Sequence, residues 1–342
     1  MKAIVIREHG GFERLEAAEV PEPLLAPGEA MVRVRAVALN HLDIWLRRGV
    51  PGHKFPLPMI PGSDVSGVVE SVPAGSSFAP GDEVIVAPGY SCGHCQACLS
   101  GRDPLCLQFG MFGESRDGGC ADRIAVPARN LLRKPVRLSF EEAAALPLDF
   151  LTSWHMLIAR AELRPGETIL VHAGGSGVGS AAIQIGKLWG ATVYATVGSP
   201  EKAVHALELG ADAVIEYRTA DFLAEVRKLT AKRGVDIVVE HVGADTFERS
   251  VRSLARGGRL VTCGATTGSD VTLNLNLLFF KLLSILGSTM GSLSELHEIM
   301  GHVEKGRLHP VVGHVLPLAA VADGHRLLED RAVFGKVVLT VP

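Results

Sequence analysis

The sequence has no apolar run long enough to cross a bilayer and no strong excess of charge of either sign. Its 342 residues include 34 basic and 37 acidic side chains, which gives a formal net charge of −3. The apolar fraction of 47% is spread along the chain, and Lys281 interrupts the most apolar stretch, residues 277–286. We therefore expect neither a membrane protein nor a nucleic-acid-binding protein.

No apolar signal segment follows Met1, which favours a cytoplasmic location. Asn and Gln are scarce, a composition that suits a thermophile and equally a GC-rich genome. The chain contains no internal repeat, and its length is sufficient for about two domains with substantial cores.

Cysteine is also rare, yet four of the six cysteines lie close together, between positions 92 and 106. Thiolates at this spacing suit one tetrahedral metal ion, and a set of four leaves no open coordination position. Residues 88–110, here called the zinc lobe, are therefore predicted to hold one structural Zn²⁺. The predicted ligands are Cys92, Cys95, Cys98 and Cys106, with Gly93 and Gly101 at the tight bends.

Two disulfides are the alternative use of the same cysteines, although they are typical of small secreted domains rather than of a long chain. His94 lies within the zinc lobe, but four thiolates would complete the coordination shell without it. Cys120 and Cys263 are interpreted as small packing residues.

Two patterns of sequence alternate along the chain. From Met1 to about Pro127, short apolar runs are broken by Gly and Pro, which predicts a β-rich, loop-rich module. The predicted strands there cover residues 2–7, 30–37, 67–72 and 83–87, and one helix is predicted over 139–159. The same pattern returns after about Gly306 and ends in 335–341, so we expect the C-terminus to fold back onto the first module.

From Thr168, apolar strands alternate with helices, which predicts a doubly wound, mostly parallel sheet. The predicted strands cover 168–173, 192–196, 213–215, 236–241 and 259–263. The predicted helices cover 178–189, 200–209, 221–230 and 245–255.

A glycine-rich turn follows the first of these strands and precedes the first helix. The turn comprises Gly174, Gly175, Ser176, Gly177, Val178 and Gly179. Small residues let the backbone approach a pyrophosphate, whose charge then lies against the N–H groups and the positive end of the helix. The position within a strand–turn–helix unit predicts dinucleotide binding, and the alternative is a glycine turn that only packs the helix on the sheet.

The end of the next strand indicates which dinucleotide is preferred. An NAD site usually shows an acidic residue about 20 residues after the glycine turn. This chain instead has Ser199, which can donate to a 2′-phosphate, and Lys202, which can neutralise it. The sequence favours NADP(H), with NAD(H) still possible because Glu201 would repel a phosphate and Lys202 could simply decorate an exposed helix.

Zinc lobe, glycine turn and β-rich ends occur together in the medium-chain dehydrogenase/reductase superfamily, which includes the zinc alcohol dehydrogenases and quinone reductases. The chain resembles it from end to end, most specifically at residues 81–86, 118–122, Thr152 and 173–179. The resemblance implies an α/β fold in which a GroES-like β-rich catalytic domain (1–135, completed by 307–342) accompanies a Rossmann doubly wound parallel-sheet domain (136–306).

The resemblance also implies cofactor contacts and an assembly. The implied contacts are Thr152 and Tyr217 at phosphates, Val242 and Gly243 near the nicotinamide, Gly264 after its strand, and Phe334 with Lys336 near the C-terminus. Family members commonly pair Rossmann edge strands, and residues 284–291 look like that edge. A homodimer or homotetramer is therefore expected.

The chain departs from zinc alcohol dehydrogenases at their second, catalytic zinc. At the matching places it has Asn40, Ser63 and Asp149, and neither Asn nor Ser is a good zinc ligand. The alternative is a substitute ligand set drawn from His41, Asp43, Asp64 and Asp149.

The segment 40–49 is instead similar to the quinone-reductase branch, which has no catalytic metal. Asn40 is the candidate for placing the nicotinamide ribose or a substrate oxygen, Asp43 for fixing the neighbouring loop, and His41 for titrating near neutrality. The alternatives are that Asn40 caps a helix and that His41 is a solvated surface residue.

These observations predict an NADPH-dependent reductase that transfers hydride to a small-molecule quinone or α,β-unsaturated carbonyl. One alternative is an alcohol or aldehyde dehydrogenase with an atypical second metal site. The other is a non-catalytic NADP-binding redox sensor that has kept the pocket.

Overall fold

The computed structural model describes residues 1–342 and divides them into two compact units. The first unit contains Met1–Leu148 and Gly291–Pro342, and the second contains Asp149–Met290. None of the helices combines the length and the apolar character that crossing a membrane requires.

The N-terminal part of the first unit is built mainly from strands. The strands are β1 (Lys2–Val5), β2 (Glu16–Glu19), β3 (Glu29–Ala38), β4 (Asp64–Ser71), β5 (Glu83–Val86), β6 (Gly89–Tyr90), β7 (Gly110–Met111), β8 (Arg123–Pro127) and β9 (Leu131–Arg133). The helices are α1 (His41–Arg48), α2 (Gln96–Leu99) and α3 (Phe140–Ala144).

The second unit alternates strands and helices. Its strands are β10 (Thr168–Val171), β11 (Thr192–Val197), β12 (Ala213–Glu216), β13 (Val235–Glu240), β14 (Leu254–Thr262) and β15 (Ser284–Gly287). Its helices are α4 (Pro147–Trp154), which begins in the first unit, α5 (Gly177–Leu188), α6 (Pro200–Glu208), α7 (Phe222–Leu229), α8 (Phe247–Ser253) and α9 (Leu275–Phe280).

The chain then returns to the first unit with α10 (Leu293–Glu304), β16 (Val312–Pro317), α11 (Val321–Glu329) and β17 (Lys336–Thr340). Strand β17 pairs antiparallel with β3, and a sheet runs in the order β16-β17-β3-β4-β5-β9, with β8 also on β3. Along β3, Val32 and Val34 are buried whereas Arg33 and Arg35 are exposed, because successive side chains point to opposite faces.

Six parallel strands form the sheet of the second unit, in the order β12-β11-β10-β13-β14-β15. All four residues of β10 are buried, as expected for a strand covered on both faces. The strand order reverses beside β10, which is the place where doubly wound sheets form a crevice at their carboxyl ends. The predicted α/β fold class, one β-rich module and one doubly wound parallel sheet, is confirmed.

Some element boundaries differ from the sequence predictions. The single helix predicted over 139–159 is wrong: α3 ends at Ala144, α4 starts at Pro147, and a π-helical turn follows at His155–Arg160. Pro147 has no N–H to continue the preceding helix, so it starts a new one instead. Helix α10 lies in the first unit, whereas the sequence analysis placed residues up to 306 in the Rossmann domain.

Candidate functional site

The glycine turn joins the carboxyl end of β10 to the N-terminus of α5. Ser176 is the N-cap of α5, and its Oγ accepts a hydrogen bond from the N–H of Gly179 at 2.9 Å. A Cβ on Gly179 would lie 2.2 Å from the carbonyl oxygen of Ala173, and one on Gly174 would lie 3.0 Å from the Cβ of Ala195. The turn therefore has the tight backbone geometry that only glycine permits.

This turn fits a dinucleotide. A Cβ on Gly177 would fall 1.7 Å from Oδ2 of Asp149, so the start of the helix has no room for a side chain at this position. The first N–H groups of a helix have no partner within it, and they can bind a pyrophosphate that approaches this closely.

Three residues predicted to recognise a 2′-phosphate follow β11 and β12. Ser199 is the N-cap of α6, and its Oγ accepts a hydrogen bond from the N–H of Lys202 at 3.4 Å. Val197 is paired with Glu216, and a Cβ on Gly198 would lie 2.8 Å from the hydroxyl of Tyr217. The fold therefore brings Tyr217 beside the segment that carries Ser199.

Glu201 is the competing charge in the same segment. Hydrogen bonds from its own backbone N–H and from the Ser199 hydroxyl lower the pKa of this exposed carboxyl, which is ionised at neutral pH. An ionised Glu201 opposes a 2′-phosphate, as the sequence analysis noted.

The remaining predicted cofactor contacts of the second unit lie on α4 or after strands. Thr152 on α4 is buried, and its Oγ1 lies 3.8 Å from the sulfur of Met290. Val242 and Gly243 follow β13, and Gly264 follows β14. Strands β10, β13 and β14 are parallel neighbours, so these turns emerge at the same edge of the sheet as the glycine turn.

Asn40 and Asp43 form a capping box at the start of α1. The N–H of Asn40 donates to Oδ2 of Asp43 at 2.8 Å, and Oδ1 of Asp43 accepts from the N–H of Gly62 at 2.8 Å. Burial raises the pKa of Asp43 to about 6, against the opposing effect of these backbone donors. Asp43 thus links the start of α1 to the backbone of Gly62, while His41 is exposed at the first helical position.

A buried lysine completes this cluster. Nζ of Lys336 lies 2.5 Å from Oδ1 of Asn40 and 3.0 Å from Oδ2 of Asp64, and all three residues are at most 6% exposed. The amide nitrogen of Asn40 also donates to Oδ2 of Asp64 at 2.9 Å, and Oδ1 of Asp64 accepts from the N–H of Leu148 at 2.8 Å. Both oxygens of Asp43 and both oxygens of Asp64 are therefore engaged by donors of the first unit.

Ser63 stands at one of the places that match a catalytic-zinc ligand of zinc alcohol dehydrogenases. It is fully buried, and its hydroxyl has no hydrogen-bond partner in the protein. Phe334 is half-buried just before β17. The cofactor roles predicted for Phe334 and Lys336, and the catalytic roles predicted for Asn40, His41 and Asp43, stay predictions.

The four cysteines of the zinc lobe converge, and their sulfur atoms lie within 4.8 Å of one another. The Sγ of Cys98 is 3.8 Å from that of Cys92 and 3.5 Å from that of Cys95. Four sulfurs at about 2.3 Å from a tetrahedral zinc ion are about 3.8 Å apart, so this donor set fits Zn²⁺. All six cysteines are free thiols, which disagrees with the alternative of two disulfides.

Local backbone geometry builds this cluster. Gly93 (φ +80°) and Gly101 (φ +68°) adopt positive φ at the predicted bends. Hydrogen bonds from the N–H groups of His94 and Cys95 lower the pKa of Cys92 to about 6, which favours the thiolate form. Nδ1 of His94 lies 3.0 Å from the carbonyl oxygen of Cys92, so that nitrogen is directed to the backbone.

Comparison with known proteins supports both domains. The alcohol dehydrogenase GroES-like domain family matches residues 26–136, and the zinc-binding dehydrogenase family matches residues 177–305. A zinc-type alcohol dehydrogenase-like protein of Schizosaccharomyces pombe is 33% identical, over 100% of this chain and 99% of that protein. Acryloyl-coenzyme A reductase of Metallosphaera sedula is 32% identical (99% and 100% covered), and human quinone oxidoreductase is 28% identical (99% and 97% covered).

Two solved structures are similar over the whole chain. An NAD-dependent alcohol dehydrogenase has 52% identity and a TM-score of 0.96, with 100% of both chains covered. A crotonyl-CoA carboxylase/reductase in complex with NADP has 26% identity and a TM-score of 0.91, with 100% and 94% covered. Fold, site and relatives together define a dehydrogenase/reductase. The chain belongs to the medium-chain dehydrogenase/reductase superfamily, among its zinc-type alcohol dehydrogenase-like members.

Sequence reasoning missed two buried groups of this region. Glu240 is the last residue of β13 and is fully buried, and His172 is buried directly after the last residue of β10. The signal was present, because an acidic residue or a histidine at the carboxyl end of a buried parallel strand is unusual for a strand that only packs.

Proposed function

We propose that this enzyme is an NADPH-dependent reductase that transfers hydride to a quinone or an α,β-unsaturated carbonyl, with a structural zinc and no catalytic zinc. The observation that carries this proposal is the Lys336 ammonium held between Asn40 and Asp64. A positive charge already neutralises Asp64, and both carboxylates of the substitute ligand set in this unit are saturated with hydrogen bonds. Lone pairs engaged in this way are poor ligands for a second zinc ion.

The proposed reaction class follows from a catalytic site that has no Lewis acid. Oxidation of a simple alcohol needs stabilisation of the alkoxide, and several kcal/mol of lost stabilisation corresponds to a rate loss of about a thousandfold. Reduction of a conjugated carbonyl moves charge onto an oxygen, where a hydrogen-bond donor or water can meet it. The relatives named quinone oxidoreductase and acryloyl-coenzyme A reductase act on substrates of this kind by their names.

Separate residues of this chain would bind the cofactor and donate the proton. When bound, the dihydronicotinamide supplies the hydride. The glycine turn and the N-terminus of α5 would bind the pyrophosphate, and Ser199, Lys202 and Tyr217 would bind the 2′-phosphate. His41, exposed at the first position of α1 directly after the capping residue Asn40, is the proton donor we propose.

Zinc would be held by Cys92, Cys95, Cys98 and Cys106 and would stabilise the zinc lobe without entering the reaction. Ligation of this kind requires reduced thiols, which is the reason to propose a cytoplasmic location.

We also propose that the protein is a homodimer or homotetramer. Strand β15 lies at an edge of the parallel sheet, and the neighbouring α9 presents Leu275, Phe279 and Phe280 to solvent, each more than half exposed. An exposed edge strand next to an apolar helix is an unfavourable surface for a monomer.

Metal content and turnover together test the reaction. We expect one zinc per chain, steady NADPH consumption with quinones and enones, and little oxidation of simple alcohols. Two zinc ions per chain, with alcohol oxidation that a chelator abolishes, would instead support the alternative of an NAD-dependent alcohol dehydrogenase. That alternative is favoured by the 52% identity to a protein of that name.

Cofactor preference is tested separately with Lys202→Ala. We expect weaker binding of NADPH by about tenfold, since one charge-assisted phosphate contact is lost, and nearly unchanged binding of NADH. Lys228→Ala, which changes an exposed lysine on α7, is the matched control. Equal losses for the two cofactors would count against recognition of a 2′-phosphate.

A further inference from the structure

Four polar side chains form a buried chain in the second unit. His172, Thr196, Glu240 and Ser250 are all at most 2% exposed, and the reaction proposed above uses none of them. They lie between two turns that follow parallel strands: the glycine turn after β10 and the Val242–Gly243 turn after β13.

The direction of each hydrogen bond can be derived from one end. Oγ of Ser250 lies 2.7 Å from Oε2 of Glu240, and a carboxylate can only accept, so the Ser250 hydroxyl donates to it. Oγ of Ser250 must then accept from Nε2 of His172, at 2.8 Å. His172 is therefore the neutral tautomer with its proton on Nε2, in agreement with burial, which lowers its pKa to about 4.

The hydrogen bonds on the other side of His172 run in the same direction. Nδ1 of His172 is an acceptor, and Oγ1 of Thr196 donates to it at 3.1 Å. Thr196 Oγ1 accepts in turn from the N–H of Ala173 at 3.2 Å. Each hydroxyl accepts one of these hydrogen bonds and donates the next, and each ring nitrogen of His172 makes one, so the chain forms a single polarised relay from Ala173 to Glu240.

At each end of the relay the hydrogen-bonded backbone includes a residue with positive φ. Ala173, directly before the glycine turn, adopts φ +47°, a left-handed conformation that a non-glycine residue rarely takes. At the other end, Oε1 of Glu240 accepts from the N–H groups of Val242 (2.8 Å) and Gly243 (3.1 Å), where Gly243 has φ +97°.

We propose that this relay, Ala173–Thr196–His172–Ser250–Glu240, positions the two cofactor-binding turns relative to each other. His172 and Glu240 are positioning residues: they act through the turns and do not touch the reacting atoms. The proposal rests on dinucleotide binding by the second unit and does not depend on which substrate is reduced.

A double-mutant cycle tests the coupling. Thr196→Val removes the hydroxyl at the glycine-turn end, and Ser250→Ala removes the one at the other end, each with little change in volume. Each single variant should weaken cofactor binding about fivefold, the usual effect of one lost hydrogen bond. Because both changes break the same relay, the double variant should also be about fivefold weaker rather than about 25-fold.

The dissociation constants are measured by titrating NADPH and NADH into the protein, and urea unfolding is followed in parallel. Ser253→Ala is the matched control, because Ser253 is a buried serine on the same helix whose hydroxyl donates to the carbonyl of Ser250, outside the relay. The control should bind both cofactors as the parent does. A Ser250→Ala variant that is less stable but binds NADPH and NADH as the parent does would show that the relay is only structural, and would overturn the proposal. Additive losses of affinity in the double variant would overturn it as well.

A preference for NADH over NADPH would contradict the cofactor proposal and leave the positioning proposal intact.

Discussion

At the scale of residues, the protein contains two buried histidines in opposite situations. Both ring nitrogens of His172 are hydrogen-bonded, whereas neither ring nitrogen of His325 meets a protein partner although the residue is fully buried. Burial lowers the pKa of His325 to about 3, and the nearby charge of Arg47 acts in the same direction. His325 is therefore a buried polar group that lowers stability.

Replacing His325 should show this directly. His325→Leu should raise the free energy of unfolding by about 1–2 kcal/mol at neutral pH, because an unpaired imidazole is replaced by an apolar group of similar size. The pKa of His325 in the folded protein lies below its unfolded value of about 6.5. As pH falls from about 6.5 toward about 3, the unfolded state takes up a proton that the folded state does not, so the protein loses stability. Urea unfolding at pH 7.5 and pH 5 should give a smaller acid loss for the variant than for the parent.

His172→Leu is the contrasting control, because it removes one hydrogen-bond partner each from Thr196 and Ser250 and should destabilise the protein. A His325→Leu variant less stable than the parent at pH 7.5 would show that the ring contributes packing that leucine cannot replace.

The Lys336–Asp64 pair permits a second test at this scale. Lys336→Met leaves a buried carboxylate without its cation and should cost about 3–5 kcal/mol in unfolding free energy. Adding Asp64→Asn removes that negative charge. The Asn40 amide can then rotate to form a hydrogen bond with the amide introduced at position 64, so the double variant should regain most of the lost unfolding free energy. Denaturant unfolding of parent, single and double variants measures this, and a double variant no more stable than Lys336→Met would contradict the pairing.

At the scale of elements, Gly179 of α5 and Gly301 of α10 both lie in helices but have different surroundings. A Cβ on Gly179 of α5 would press on the backbone of Ala173 at 2.2 Å, whereas a Cβ on Gly301 of α10 would meet nothing within 4 Å. Only the first glycine is required by contact with another segment.

Alanine substitution should therefore be favourable for stability at Gly301 and unfavourable for cofactor binding at Gly179. Gly301→Ala should raise the unfolding free energy by about 0.5–1 kcal/mol, because alanine loses less conformational freedom in a helix. Gly179→Ala should displace the glycine turn and weaken cofactor binding by about tenfold or more. Thermal unfolding and cofactor titration of both variants test this, and unchanged cofactor binding by Gly179→Ala would contradict the tight approach at the turn.

The zinc lobe is tied to α10 as well as to its proposed ion. Oδ2 of Asp103 accepts a hydrogen bond from the N–H of Leu293, the first residue of α10, at 2.8 Å. A carboxylate at a helix N-terminus is favourable. Loss of zinc should thus loosen the lobe together with the end of this helix.

Cys95→Ser tests that dependence. We expect release of zinc and a melting temperature lower by roughly 5 °C or more, with cofactor affinity nearly unchanged. His94→Ala, a change in the same lobe at a residue that is not a predicted ligand, should keep both the zinc and the melting temperature. Equal melting temperatures for Cys95→Ser and the parent would exclude a structural role for the ion.

At the scale of the whole molecule, separation along the chain decides what the sequence could predict. The four cysteines fall within 15 residues and the glycine turn within six, so local spacing predicted both sites. Lys336 and Asp64 lie 272 positions apart, and no local pattern relates them. The two hydrogen-bond partners of the His172 ring likewise come from separate elements, Thr196 from β11 and Ser250 from α8, so their pairing exists only after folding.

Subunit assembly is the last property argued at this scale. If β15 pairs with a second copy, α9 is brought to the same interface, and its exposed Phe279 becomes buried. Phe279→Asp would then place a charge in an apolar contact and should shift the protein to monomers, because an unpaired buried charge costs several kcal/mol. Sedimentation or light scattering measures the mass.

Val136→Asp, at an apolar residue of the first unit that is 99% exposed, is the matched control and should keep the parent's mass. A parent that is already monomeric, or a Phe279→Asp variant that keeps the parent's mass, would show that this face is not the interface.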